Sequence, residues 1–202
     1  MNKILILDDR VERKKTHLNN DAIRKLSNCV SRGLLTMITG EGVEKDKSFQ
    51  YCSDYSLVAV HKSWLDANEL TMDIEQYAKK KLLVIFSGGI GQTLLLNDYK
   101  YLRVNSADFY TNRLPDFIER YAISGIEQPL LQLLYGEAWR LPIYMKYRQL
   151  LWRGLSENDD EYIDNEINYG SYLEQFNAPT ISEKLEKLDK SIKDEITKAN
   201  AL

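Results

Sequence analysis

Short apolar runs alternate with longer amphipathic stretches over the first 122 residues. Lys3–Leu7 contains Ile4-Leu5-Ile6-Leu7 without a polar break, the pattern of a strand covered on both faces. Val11–Cys29 is polar, with Leu18, Ala22, Ile23 and Leu26, and then Val30, at helical spacings. Leu34–Ile38 and Ser56–Val60 read as the second and third strands, Leu82–Phe86 as the fourth and Tyr101–Val104 as the fifth. Gly40–Ser53 reads as a loop or a short irregular helix. Asp66–Lys80 reads as a helix with Leu70, Ile74 and Tyr77 on one face. Thr111 or Asn112 is expected to cap a further helix running to about Tyr121. Gly91–Lys100 is the weakest crossover, because its only apolar run, Leu94-Leu95-Leu96, is short for a helix. The alternation predicts an α/β domain over residues 1–122, with five mostly parallel strands in a doubly wound sheet.

Beyond Ser124-Gly125 the strand signal stops, and residues 123–202 read as a helical extension. Glu127–Leu155 is rich in Leu, Tyr and Trp, with a break expected at Pro142. Asp159–Phe176 is acidic and aromatic. Pro179 then precedes an amphipathic helix with Ile181, Leu185, Leu188, Ile192 and Ile196 in an almost heptad-like stripe. That stripe either docks on the body or forms a seam with a partner or a second copy, which would make a homodimer through the C-terminal helix.

The balance of 44% hydrophobic and 28% charged residues in 202 is that of a soluble protein with a sizeable core. No apolar run is long enough to span a membrane. Met1-Asn2-Lys3 leads straight into the first strand, unlike a signal peptide, so a cytoplasmic location is expected. Cys29 and Cys52 follow no metal or redox spacing and read as free thiols in a reducing compartment. The net charge of −3 is unevenly spread: residues 156–202 carry −7 and the preceding body +4.

The chemistry concentrates at Asp8 and Asp9, which end the first strand where open α/β sheets bind ligands. Adjacent carboxylates repel, and a cation such as Mg²⁺ would relieve that. Alternatively, one acid caps the following helix, the other is solvated, and Arg10 neutralises one of them.

In order and spacing the first 122 residues resemble a response-regulator receiver domain, whose fold is flavodoxin-like. Ile4–Leu7 with Asp8-Asp9 is similar to the receiver's first strand and acidic metal-binding pair. Tyr55–Val60 is similar to the strand leading to the phospho-accepting aspartate, and Leu83–Phe86 with Ser87 to the strand ending in the switch hydroxyl. Tyr101–Val104, with Ala107-Asp108-Phe109-Tyr110 behind it, resembles the fifth-strand region. His61 stands where the resemblance calls for the acceptor aspartate, and the family's lysine falls near Asn112 or Arg113. A receiver needs a carboxylate nucleophile beside Mg²⁺ and a cation for the phosphoryl group. The resemblance therefore implies a pseudo-receiver that keeps Asp8, Asp9, His61 and Ser87 as a degenerate pocket without aspartyl phosphorylation.

Two further stretches carry candidate chemistry. Ser87-Gly88-Gly89-Ile90-Gly91-Gln92 reads as a tight, conformationally permissive turn, or as a glycine-rich loop that presents N–H groups to phosphate. Its start resembles the loop of the PP-loop ATP pyrophosphatases, which there follows the first strand and continues into an aspartate and a serine. Trp139–Arg153 interleaves aromatic and basic residues, which suits a helix packed on the sheet with its basic stems snorkelling, a protein interface anchored on Trp139, Tyr147, Arg148, Trp152 and Arg153, or nucleic-acid stacking. A sequence pI near 5.5 argues against a broad nucleic-acid surface. His17 reads as a surface residue, and no catalytic triad, zinc signature or Walker lysine is present.

These features point to a bacterial-type, cytoplasmic regulatory or adaptor protein in a signalling or defence-type system, without turnover or resident cofactor, acting by protein–protein recognition. The first alternative is a Mg²⁺- or phosphate-dependent enzyme or phospho-switch using Asp8, Asp9, His61 and Ser87. The second is a nucleic-acid-binding protein.

Overall fold

The computed structural model describes residues 2–10, 12–39, 51–67, 81–96, 99–157 and 171–200. It is an α/β structure with a mostly parallel six-stranded sheet and C-terminal helices. The strands are β1 (Ile4–Asp8), β2 (Leu35–Thr39), β3 (Leu57–His61), β4 (Leu82–Phe86), β5 (Leu94–Leu96) and β6 (Tyr101–Val104). Their order is β2-β1-β3-β4-β6-β5, and every pairing is parallel except β5 with β6. The sixth strand corrects the expected count of five. Leu94–Leu96 is a short antiparallel edge strand whose Leu94 and Leu96 are exposed, so three leucines mark a hairpin here rather than a crossover helix.

Strand alternation divides the interior into two cores. Ile4 and Ile6, Leu57 and Ala59, Val84 and Phe86, and Leu102 and Val104 face one side. Leu5 and Leu7, Val58 and Val60, and Leu83 and Ile85 face the other. Both faces are covered, which is why β1 reads as an unbroken apolar run.

The first core lies under α2 (Asn20–Ser31), α4 (Ser106–Phe109), α5 (Leu114–Ser124) and α6 (Pro129–Tyr135). The second lies under α3 (Lys62–Ala67), through Trp64 and Leu65, and a 3₁₀ turn at Tyr51–Asp54 that supplies Cys52. Cys29 and Cys52 are both buried and neither is in a disulfide. Burial pushes both thiols up, Cys52 to about 11.

The stretch expected as one helix over Val11–Cys29 is two. A short α1 (Arg13–His17) ends at Leu18, and Asn19 restarts the chain by accepting the Ala22 N–H as N-cap of α2. Gly33, at φ +70°, turns the chain out of α2 towards β2 in a conformation that favours glycine. Neither Thr111 nor Asn112 caps α5. Its N-cap is Arg113, without a side-chain bond, and Pro115 occupies the first turn. The expected loop over 40–50 and most of the expected helix over 68–80 lie outside the described residues.

The chain forms two compact units, Met1–Leu134 and Tyr135–Leu202. The first extends past residue 122 because Leu130 and Leu133 of α6 belong to its core. The second contains α7 (Leu141–Glu157), α8 (Ser171–Glu174) and α9 (Ile181–Asn200). Pro142 does not break this region. It sits in the first turn of α7, where its missing N–H costs nothing, and the break falls in the 3₁₀ turn Gly136–Ala138. Thr180 opens α9 with a reciprocal pair: Thr180 Oγ1 accepts the Glu183 N–H and Glu183 Oε2 accepts the Thr180 N–H, each at 3.3 Å. Leu185, Leu188 and Ile192 are buried as α9 packs on α7, while Ile196 stays 43% exposed. Among the described residues no helix is long and apolar enough to cross a membrane.

Candidate functional site

Parity brings the site together. Asp8 continues the Ile4-Ile6 face of β1, and His61 continues the Leu57-Ala59 face of β3. The parallel register pairs Leu7 with Val60, so Asp8 and His61 leave the sheet side by side on one face. Phe86 of β4 points the same way, its ring 5.3 Å from the His61 ring and stacked on Phe109 at 4.3 Å. Asp8, Asp9 and His61 each offer a ligand atom within 4.8 Å of the others.

Asp8 is 1% exposed and fully engaged. Oδ2 accepts the Tyr110 hydroxyl at 2.8 Å, and Oδ1 accepts the Arg10 backbone N–H at 3.1 Å in a local turn. Oδ1 also receives Arg13 Nη1, which donates at 2.9 Å to Asp9 Oδ1. One guanidinium thus bridges both acids. This corrects two expectations. Neither acid caps α1, whose N-cap is Glu12. The neutralising cation is Arg13, whereas Arg10 is 77% exposed with its Nε 4.0 Å from Asp9.

His61 Nδ1 lies 3.0 Å from Asp9 Oδ1 and 2.6 Å from Ser63 Oγ, with the Ser63 N–H 3.2 Å away. Nδ1 accepts the Ser63 N–H when unprotonated and donates to Asp9 when protonated, so this one nitrogen is shared between the two partners. Burial lowers the His61 pKa, and the Arg13 charge lowers it further against the pull of Asp9 and Asp8. Burial acts to raise the Asp9 carboxyl, but hydrogen bonds from Ser63 and Arg13 and the charges of His61 and Arg13 outweigh it and hold it low. Burial, with Asp8 as acceptor and neighbouring charge, raises the Tyr110 phenol far above its ordinary value, so it stays a donor.

These shifts fix a pH dependence. A histidine with a lowered folded pKa binds more protons unfolded than folded, so stability falls as pH drops below about 6.5. The loss ends at the folded pKa of His61. Urea melts between pH 8 and pH 5 should show this slope, and His61→Gln should flatten it. An unchanged slope in the variant would assign the effect to other groups.

Ser87 is not part of this cluster. Leu83 and Ile85 before it face the second core, and its hydroxyl accepts the Gly89 N–H at 3.3 Å. Asn112 and Arg113 are engaged elsewhere, Asn112 Oδ1 accepting the Asn19 N–H and Arg113 Nη2 donating to the Leu134 carbonyl. The residue following β6 is Asn105, whose side chain caps α4 and ties down the loop after β4. Sequence reasoning missed Arg13, Ser63 and Tyr110. Arg13 lies four residues past Asp9, but Asp9 precedes α1, so helical spacing does not announce the contact. Tyr110 reaches Asp8 from 102 residues away, which no local pattern announces.

In the second unit Trp139 and Tyr147, expected on a partner surface, are buried at 5% and 7% exposure. Arg148 bonds Asp189 at 2.6 Å. Trp152 and Arg153 are exposed, and Met145, Trp152 and Leu155 form an exposed apolar strip along α7 at helical spacing. Trp152 and Leu155 border an open groove of about 1040 Å³ whose other side includes Pro179, Leu185 and Lys190. No protein-family model, curated protein or solved structure matches the chain.

Proposed function

We propose that the first unit is a pseudo-receiver, and that the protein is a non-catalytic regulatory adaptor working by protein–protein recognition. The observation that carries this reading is the Arg13 guanidinium seated between Asp8 and Asp9, where a receiver would hold its cation, with His61 ending β3 where the acceptor aspartate would stand. The five parallel strands run in the order β2-β1-β3-β4-β6, which corresponds to the flavodoxin-like order shared by receiver domains. Counted from the end of β6, the family's lysine position corresponds to Asn105, a neutral capping residue. A pocket that has a tethered cation and, among the described residues, no carboxylate at the acceptor position and no lysine after β6 supports recognition rather than phosphoryl transfer.

The exposed strip of Met145, Trp152 and Leu155, flanked by Arg153, supplies residue types that anchor protein interfaces. The test has two arms. Titration with Mg²⁺ and beryllofluoride should leave the melting temperature unchanged, although a ligand at a hundred times its Kd would add roughly 2.7 kcal/mol. A shift that disappears in Asp8→Asn would overturn the reading. In the second arm, Trp152→Ala with Arg153→Ala should abolish partner capture without changing the fold. Capture that survives would remove this surface from the proposal.

One observation favours a second reading, an enzyme or phospho-switch. Asp8, Asp9 and His61 form a chemically reasonable oxygen and nitrogen donor set for a divalent cation. Arg13 would have to leave first. Arg13→Gln should then bind Mn²⁺ where the wild type does not, and equal failure in both would remove this reading.

A further inference from the structure

The loop leaving β4 carries three glycines that the fold does not explain. Positive φ among the described glycines occurs at Gly33, Gly125 and Gly136, and not at Gly88, Gly89 or Gly91. A Cβ on Gly88 or Gly91 would meet nothing within 4 Å, and one on Gly89 would touch only Ser87 Oγ at 3.9 Å. Among the described residues neither a positive φ nor a close neighbour requires glycine here, and the side-chain-free backbone is open to an approaching group.

Asn105 sets the loop's orientation. Its Nδ2 donates to the carbonyls of Gly88 and Ile90 at 3.2 and 3.1 Å, while its Oδ1 accepts the Ala107 N–H. In a planar trans peptide the N–H points opposite to the carbonyl. The N–H groups of Gly89 and Gly91 therefore both point away from Asn105. Gly89 N–H meets Ser87 Oγ, which leaves the Ser87 hydroxyl proton free to donate. Gly91 N–H has no partner among the described residues.

The same loop lines a cavity of about 260 Å³. Lys62 at the start of α3 and Arg103 on β6 line it too, and no carboxylate does so among the described residues. Arg103 lies on the Tyr101 side of β6, the face opposite Leu102 and Val104, so this cavity is separate from the Asp8–His61 cluster. Two cations from different elements, a hydroxyl and an outward N–H group make a site for an anion. The volume lies below the roughly 300–1,000 Å³ typical of drug-sized ligands, so the site suits phosphate or pyrophosphate rather than a whole nucleotide.

We infer that Lys62, Arg103 and the Ser87–Gln92 loop bind a phosphoryl anion, either free or as the terminal group of a small phosphoester. The inference stands independently of the pseudo-receiver reading, since it uses none of Asp8, Asp9, Arg13 or His61.

Calorimetric titration of the full chain at low ionic strength, with inorganic phosphate, pyrophosphate and glycerol phosphate as probes, tests it. Saturable binding that weakens as salt is added is expected. Lys62→Gln and Arg103→Gln should each weaken it about tenfold or more, the loss of one charge-assisted hydrogen bond. Comparison of the free anions with the phosphoester identifies the source of the phosphoryl group. Gly91→Ala is the sharpest probe. Its φ and its surroundings accept a methyl group, so the melting temperature should hold or rise while binding weakens. Absence of binding by the wild type to all three probes would overturn the site. So would binding that Lys62→Gln, Arg103→Gln and Gly91→Ala all leave unchanged.

Discussion

Arg13→Ala is expected to cost about 3–5 kcal/mol in urea denaturation near neutral pH, the range for breaking a buried pair by removing one partner. The reason is the position of Asp8. Its side chain is 1% exposed, and without Arg13 its only donors among the described residues are a backbone N–H and a phenol, both neutral. The exposed pairs Lys15–Glu12 and Arg24–Asp21 lie nearby in sequence but should contribute no more than about 1 kcal/mol each. Arg13→Lys should recover only part of the loss, because an ammonium is a point charge and cannot span two carboxylates as a planar fork does. Asp8→Asn should cost less than Arg13→Ala, since Arg13 keeps Asp9. A double-mutant cycle across Arg13 and Asp8 should show strong coupling. If Arg13→Ala stays within about 1 kcal/mol of the wild type, the guanidinium does not hold the acid pair in solution.

The second large effect is expected at Leu188. It is 0% exposed in the middle of α9, with Leu185 and Ile192 buried one turn to either side. Leu188→Ala should cost about 2–5 kcal/mol, while Ile196→Ala, on the same stripe but 43% exposed, should cost under about 0.5. Trp139, buried in the same unit, gives a fluorescence probe of this unfolding. The measurement also separates two uses of the stripe. A seam packed within one chain gives a cost independent of protein concentration, whereas a seam between two copies makes stability rise with concentration. The packing of α9 on α7 predicts concentration independence. A marked concentration dependence would return the stripe to the role of a dimer seam.

Much of the sheet was readable from hydrophobic pattern alone. The bounds of β4 follow the apolar run Leu82–Phe86 directly, because buried parallel strands need an unbroken apolar sequence, whereas β6 keeps only Leu102 and Val104 buried around Arg103. The site was readable in part. Asp8 and His61 continue the alternations Ile4-Ile6 and Leu57-Ala59, and that parity alone puts them on one face. Its electrostatics were hidden because Val11–Cys29 looks like a single helix. Leu18 and Asn19 interrupt it, and the short α1 that results turns Arg13 towards the acids. Leu94–Leu96 misled for a related reason: three apolar residues do not separate a short edge strand from a helical turn. Trp139 and Tyr147 looked like anchors because residue type does not reveal which face of a helical segment is buried. The acidic stretch 158–170 lies outside the described residues.

The bridge from Arg13 to the two acids has a consequence for supply. A metal-dependent pocket must be loaded, and its occupancy follows the free concentration of the ion; dialysis or a chelator empties it. A counter-charge carried on the backbone four residues away is present at a high effective concentration from the moment the chain folds, and dilution does not change it. On the pseudo-receiver reading, the cation position is thereby filled without a supply of metal ion.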